Sequence, residues 1–227
     1  PNREVRARVP VGDGLVGEAG NILGCSRDGM RRLIKGLAGN LFVLHADGTE
    51  TQVSEPLSGS SDITGSARPT GATISPDGSR VVFAGKTVRG RSCHDGALFG
   101  VDADGGPAEV LWKSQVPQNG IVRFPAFSPD GTQIAFADGY CDSDHSVWVM
   151  NADGSDAHQI VTPDGTPLGG GFVHGLAWSP AGDRIALQYQ GFGPGFEGLA
   201  LYTFATDGSG FTKGGDASEF CWPGLRC

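Results

Sequence analysis

The sequence predicts an all-β protein built of four consecutive antiparallel units, each of four short strands, and three observations predict it. A tetrapeptide, Ser-x-x-Gly, recurs as SRDG from Ser26, SPDG from Ser75, SPDG from Ser128 and SPAG from Ser179, at spacings of 49, 53 and 51 residues. Self-similarity at such a period marks an array of one small structural unit. A second anchor recurs in step, as HADG ending at Gly48, DADG at Gly105, NADG at Gly154 and ATDG at Gly208. Its spacings of 57, 49 and 54 place the length variation in loops and not in strands. Finally, 38 glycines and 14 prolines among 227 residues follow no Gly-X-Y period. That composition means many turns with short elements between them, and helical periodicity is absent.

The third unit shows the elements in order. PAFS (Pro125 to Ser128) is the first strand, and QIAFA (Gln133 to Ala137) the second, joined through Asp130-Gly131. A polar loop leads to SVWVMN (Ser146 to Asn151), and Asp153-Gly154 joins that third strand to HQIVT (His158 to Thr162). Asp-Gly pairs suit tight hairpins because the glycine accepts positive φ. Pro76, Pro129 and Pro180 fix φ at the start of their turns, where the missing N–H costs no ladder bond. The second and fourth units repeat this pattern; the first, SRDGMRRLIKGL, lacks the proline and the Ile-Ala-Phe run. Four-stranded units of about 50 residues in succession are the sequence form of a β-propeller. The blades are expected at about residues 21 to 57, 70 to 112, 122 to 162 and 173 to 213.

FSPDGTQIAFAD followed by VWVMNADGSDAHQIVT resembles the Pro-Asp repeat of TolB-type β-propellers, relatives of the WD-repeat propellers. The resemblance runs over about residues 21 to 213 and is strongest in the third unit. It implies a fold and a habit of binding: such blades serve as interaction platforms, as gating domains of peptidases and as the body of some polysaccharide lyases. Fold alone does not choose among these.

Four units are fewer than such propellers usually have, so the chain is read either as a closed four-bladed ring, which is favoured, or as part of a larger one. In the closed form EVRARV (Glu4 to Val9), within residues 1 to 10, supplies the outer strand of the last blade. In the other, EFCWPG (Glu219 to Gly224), within the tail 214 to 227, opens a fifth, because Trp222-Pro223-Gly224 echoes Trp178-Ser179-Pro180. Cys93 and Cys141 fall in the same loop of neighbouring blades, where a disulfide would clamp the second blade to the third. Cys25 with Cys221 or Cys227 would staple the ring closure. Cys93, His94, Cys141 and His145 are also a zinc ligand set by type, but their spacing is not that of a zinc knuckle, and the disulfide is preferred. Cysteines in polar loops point to an oxidising compartment, hence a secreted or periplasmic protein.

Candidate ligand-binding residues come from two places. Five residues before each repeated serine stand Asn21, Thr70, Arg123 and His174, expected at the start of the inner strands and facing the axial channel. The loop GFGPGFEG carries Phe192 and Phe196 in the fourth blade's version of the cysteine-bearing loop; with Tyr140 and His94 it marks one loop face as a binding surface. The DADGG and NADGSD runs fall short of a calcium loop, having neither its spacing nor a closing glutamate. No cofactor is expected, and calcium in the channel is left open without named ligands.

A net charge of −8 disfavours nucleic acid and anionic membranes as partners. No apolar run reaches the roughly 18 residues of a membrane span. The chain opens at Pro1 without a charged n-region or apolar h-region, which reads as a processed or trimmed start. There is no Gly-x-Ser-x-Gly elbow, Ser-x-x-Lys, His-Glu-x-x-His, P-loop or Rossmann fingerprint, and serines that recur in every blade are turn caps and not nucleophiles. The expected function is therefore non-catalytic binding of a protein or glycan. The alternative is a lyase-like or peptidase-associated propeller whose active groups are His174 and Arg123, or lie on another domain. Mass spectrometry of the unreduced chain tests the cysteine reading: each disulfide removes two hydrogens, whereas a zinc site leaves a metal-releasable mass and no such loss.

Overall fold

Each Ser-x-x-Gly string closes a hairpin, and its serine supplies the clamp. In the third unit the Ser128 N–H donates to Gln133 O and the Gly131 N–H to Ser128 O, both at 2.9 Å. The Ser128 hydroxyl accepts from the Gln133 N–H at 2.9 Å and donates to Asp130 Oδ1 at 2.6 Å. Gly131 sits at φ 77°, a left-handed conformation that glycine adopts without strain. Asp130 also accepts from the Thr132 N–H and hydroxyl, at 3.1 and 2.9 Å. The clamp repeats as Ser26 with Asp28 and Ser75 with Asp77. In the fourth unit Ala181 has no carboxylate to offer, and Asp183 accepts from the Ser179 hydroxyl instead, at 2.7 Å. All four serines are buried, and their hydroxyls are committed to the turn.

The computed structural model describes residues 21–36, 40–54, 71–86, 96–116, 120–140, 146–162, 171–191 and 199–216. They form sixteen strands and no helix. The first sheet is β1 (Asn21–Cys25), β2 (Arg31–Lys35), β3 (Leu41–His45) and β4 (Glu50–Gln52). The second is β5 (Gly71–Ile74), β6 (Arg80–Lys86), β7 (Gly96–Asp102) and β8 (Glu109–Lys113). The third is β9 (Gly120–Phe127), β10 (Gln133–Tyr140), β11 (Ser146–Asn151) and β12 (His158–Val161), and the fourth β13 (Gly171–Trp178), β14 (Arg184–Gly191), β15 (Leu199–Ala205) and β16 (Thr212–Asp216). Every sheet is an antiparallel meander in sequence order. Successive first strands touch one another, β1 to β5, β5 to β9 and β9 to β13, so these are the inner strands. This is a β-propeller of four blades.

The sheets stack by size. On its face toward the second sheet, the third carries Ile134, Phe136, Trp148 and Met150, which pack with Val82, Ala84 and Leu98. Its other face is small, with Ala135, Ala137, Val147 and Val149, and receives Ile185, Leu187, Tyr189, Tyr202 and Phe204 of the fourth. The second sheet turns Phe83 and Phe99, stacked 5.4 Å apart, toward Leu33, Leu41 and Val43 of the first. Burying each such side chain contributes about 1.5–3 kcal/mol, so these clusters carry the fold. Among the described residues the clusters join first to second, second to third and third to fourth sheets, and none spans fourth and first. Polar ties reinforce two joints: Arg31 pairs with Asp104 at 2.8 Å, and Trp178 Nε1 donates to Ala126 O at 3.0 Å.

Removing the clamp hydroxyl by Ser128→Ala leaves the half-buried Gln133 N–H without its acceptor, and denaturant unfolding should show a loss of about 1 kcal/mol. Asp28, Asp47, Asp77, Asp130, Asp153 and Asp207 are each held below the ordinary 3.8, first by a Ser or Thr hydroxyl and then by a backbone N–H. Because the folded values lie below the unfolded one, this stabilisation is complete above the unfolded value and is lost as pH falls through the folded values. Unfolding measured against pH should therefore be flat above about pH 5 and weaken steeply below about pH 4, with a shallower slope in Asp130→Asn.

Candidate binding face

The inner strands begin at the end of the propeller opposite the Ser-x-x-Gly turns. Gly120, the first residue of β9, pairs with Tyr140, the last of β10, and Gly171 of β13 pairs with Gly191 of β14. The loops between second and third strands spring from this same end. Arg123 lies three residues inside it on β9, opposite Ala137, on the face that the third sheet turns to the fourth. His174 lies three residues inside it on β13. It is the extra residue of a bulge, between the Val173–Tyr189 and Gly175–Gln188 pairs. The sequence-predicted pair thus stands at one level on adjacent inner strands, and exposed Tyr140 sits on the rim of the same end.

Arg123 is the chemically distinctive group. Its guanidinium is half-buried, Nε is fully covered without a hydrogen-bond partner, and no carboxylate among the described residues pairs with it. Burial lowers its pKa from the ordinary arginine value, and no acid among the described residues offsets it. The other half-buried arginines on strands have partners for their guanidinium groups, although Arg80 Nε is also without one: Arg31 has Asp104, Arg80 has Glu109, and Arg184 donates to Thr203 Oγ1 at 3.1 Å and Gly210 O at 3.0 Å, while Arg32 is exposed. Beside Arg123, Phe124 holds φ 54°, which costs a non-glycine residue free energy. That kink and Pro125 form a bulge opposite Phe136, and Gly71 of β5 leaves room for it: a Cβ there would stand 3.1 Å from Phe124 N. His174 is exposed, with Nε2 3.1 Å from Gln190 Oε1 and its ring edge-on to Phe172.

Sequence reasoning missed Asp138. This carboxylate on β10 is buried and accepts from Trp112 Nε1 at 3.1 Å, the Gln115 N–H at 3.0 Å and the Ser114 hydroxyl. Its partners belong to β8 and the residues after it, so it ties the second blade to the third just below the candidate face. The tie matters because Trp112 also packs on Trp148, 4.9 Å between centroids. No repeat position announces it, since only the third unit has an aspartate there.

Thr70, His94, Phe192, Phe196, Cys93, Cys141, His145, Cys221 and Cys227 lie outside the described residues, and of Asn21 only the strand backbone is described. Cys25 is disulfide-bonded. Among the described residues no group of three His, Cys, Asp or Glu side chains is placed to hold a metal ion, and no helix is long and apolar enough to cross a membrane. A shallow cavity of about 200 Å³ lies at the opposite end, between the turns of the second and third blades. Its acids are already committed, Asp77 to Ser75 and Ser79 and Asp130 to Ser128 and Thr132, so it offers a ligand less than Arg123 does.

Comparison with solved structures supports the fold. The tricorn protease matches 84% of this chain at 10% identity and a TM-score of 0.58, the match covering 22% of that chain. Prolyl oligopeptidase B from Galerina marginata matches 86% at 14% identity and a TM-score of 0.55, over 30% of its own length. A putative TolB from Agrobacterium tumefaciens matches 84% at 17% identity, over 78% of its length, with a TM-score of 0.38, too low to add to that support. No family model and no curated protein matches the chain. At these identities the likeness is one of fold, and the chain spans less than a third of either peptidase.

An uncompensated, half-buried guanidinium costs stability. Arg123→Met, which keeps the aliphatic stem and drops the charge, should leave thermal unfolding unchanged or stabilise by up to about 1 kcal/mol.

Proposed function

We propose that this chain is a non-catalytic binding module, secreted or periplasmic, that takes an acidic group of a protein or glycan between the inner strands of its third and fourth blades. The observation that carries this reading is the Arg123 guanidinium, its Nε buried without a hydrogen-bond partner and with no carboxylate among the described residues pairing with it, at the end of the propeller where the inner strands begin. A carboxylate arriving there restores the hydrogen bonds that burial has removed, and a guanidinium offers it a planar fork of two parallel donors. His174 and Tyr140 lie at the same end and supply a ring donor and an exposed aromatic surface, the usual means of seating a sugar or a peptide side chain. The strained Phe124 that positions Arg123 fits a site maintained at the expense of stability. The Cys25 disulfide supports an oxidising compartment.

Among the described residues no nucleophile is set up, since the repeated serines are spent on their turns. The test is calorimetric titration with matched acidic and neutral oligosaccharides and peptides. Only the acidic members should bind, Arg123→Met should weaken them at least about tenfold, a loss of 1.4 kcal/mol, and His174→Ala should cost no more than about fivefold. Equal binding of neutral ligands, or indifference to Arg123→Met, would overturn the reading. Turnover of an acidic polysaccharide that disappears in His174→Ala would replace it with the lyase alternative.

A further inference from the structure

At the second-to-third and third-to-fourth joints a large face meets a small one, and among the described residues one face of each kind has no sheet packed against it. Aligning the sheets on their Ser-x-x-Gly turns, the positions of Phe83, Phe136 and Leu187 fall to Ile34 in the first sheet, and those of Phe99, Trp148 and Tyr202 to Phe42. Leu44 stands where Val101, Met150 and Phe204 do, and Ile22 pairs beside Ile34. This is the first sheet's large face, and no sheet among the described residues precedes it; Ile22 is 54% exposed. At the other end, Ala186, Thr203 and Leu201 occupy the small positions held in the third sheet by Ala135, Val149 and Val147.

The turns report the same asymmetry. A Cβ at Gly78 would meet Ser26 and Arg31 of the blade before, one at Gly131 would meet Pro76, and one at Gly182 would meet Pro129; at Gly29 it would meet nothing within 4 Å. In the second anchor Gly105 faces Thr51, Gly154 faces Leu111 and Gly208 faces Ile160, while Gly48 faces nothing within 4 Å. No strand of the fourth sheet makes an extended contact with the first among the described residues. Both leftover faces also carry polar replacements at core-facing positions. Arg32 stands where Val81, Ile134 and Ile185 do, and Gln188 where Ala84 and Ala137 do.

We propose that the large face of the first sheet seats on the small face of the fourth sheet of a second copy of this chain, and reciprocally, so that two arcs close into one ring. The second copy is favoured because both of these faces belong to the same chain and are complementary in the way of the second-to-third and third-to-fourth joints, so one partner satisfies both. A head-to-tail joint that closes on itself gives a finite assembly and not a filament. Polar groups on both sides of this joint suit surfaces that are wetted before association and lie between folded units.

The experiment is native mass spectrometry and light scattering on the full chain, with two tagged variants, Ile22→Asp on the large face and Leu201→Asp on the small one. The wild type should run at twice 23.5 kDa, and each variant alone at the monomer mass with an unchanged β-sheet circular dichroism spectrum. Mixing the two variants should recover a mixed pair through their one intact joint, because each supplies the face the other lacks. Should Leu201→Asp unfold, Gln188→Lys sets a second cation across from the face that bears Arg32 and serves in its place. A wild type that stays monomeric up to about 0.1 mM, single variants that still pair, or a mixture that gives no mixed pair would each overturn the proposal.

Discussion

The packing of a large-residue sheet face onto a small-residue one is the constraint from which the rest of this molecule follows. Twisted four-stranded sheets cannot lie flush, and a wedge of Phe, Trp and Tyr set against Ala and Val lets one sheet fan out from the next while excluding water. Phe136 and Trp148 against Val82, Ala84 and Leu98, then Leu187, Tyr202 and Phe204 against Ala135, Ala137 and Val147, repeat that wedge with different residues. The turn clamps are secondary to it. They fix the register of each first hairpin, and register decides which side chains reach which face.

The candidate site arises where this regularity is relaxed. Inner strands β9 and β13 each carry a bulge: in β13 it is His174 itself, and in β9 it is Phe124 and Pro125, next to Arg123, which keeps its pairing with Ala137. A guanidinium in that position, with no carboxylate partner among the described residues, is a poor choice for stability and a good one for receiving an anion. The Asp138 tie to Trp112 and Ser114 lies directly beneath and holds the second and third blades in fixed relation, which keeps the platform rigid.

Much of the fold could be read from the residues, because its cause is periodic. The Ser-x-x-Gly and Asp-Gly anchors carry their own turn geometry, so sixteen strands and their order follow from strings that recur. Even the degraded first unit keeps the clamp, because Ser26 and Asp28 survive where the proline does not. The level shared by Arg123 and His174 was readable for the same reason, each standing five residues before a serine. What could not be read is what occurs once. Asp138 meets Trp112 and Ser114 only through packing between blades, Phe124 is bent left-handed without a glycine to announce it, and Asp183 replaces a carboxylate missing at Ala181. That Arg123 has no counter-charge among the described residues is a property of three dimensions, and no spacing in the chain encodes it.

Wedge packing between blades is most directly measured by a double-mutant cycle on Leu98 and Phe136, which belong to successive sheets and to one buried cluster. Truncating both to alanine, singly and together, and following denaturant unfolding should give a coupling of about 1 kcal/mol or more. Losses that add to within about 0.5 kcal/mol would mean that the two sheets do not share a core, and the radial stacking described above would be wrong.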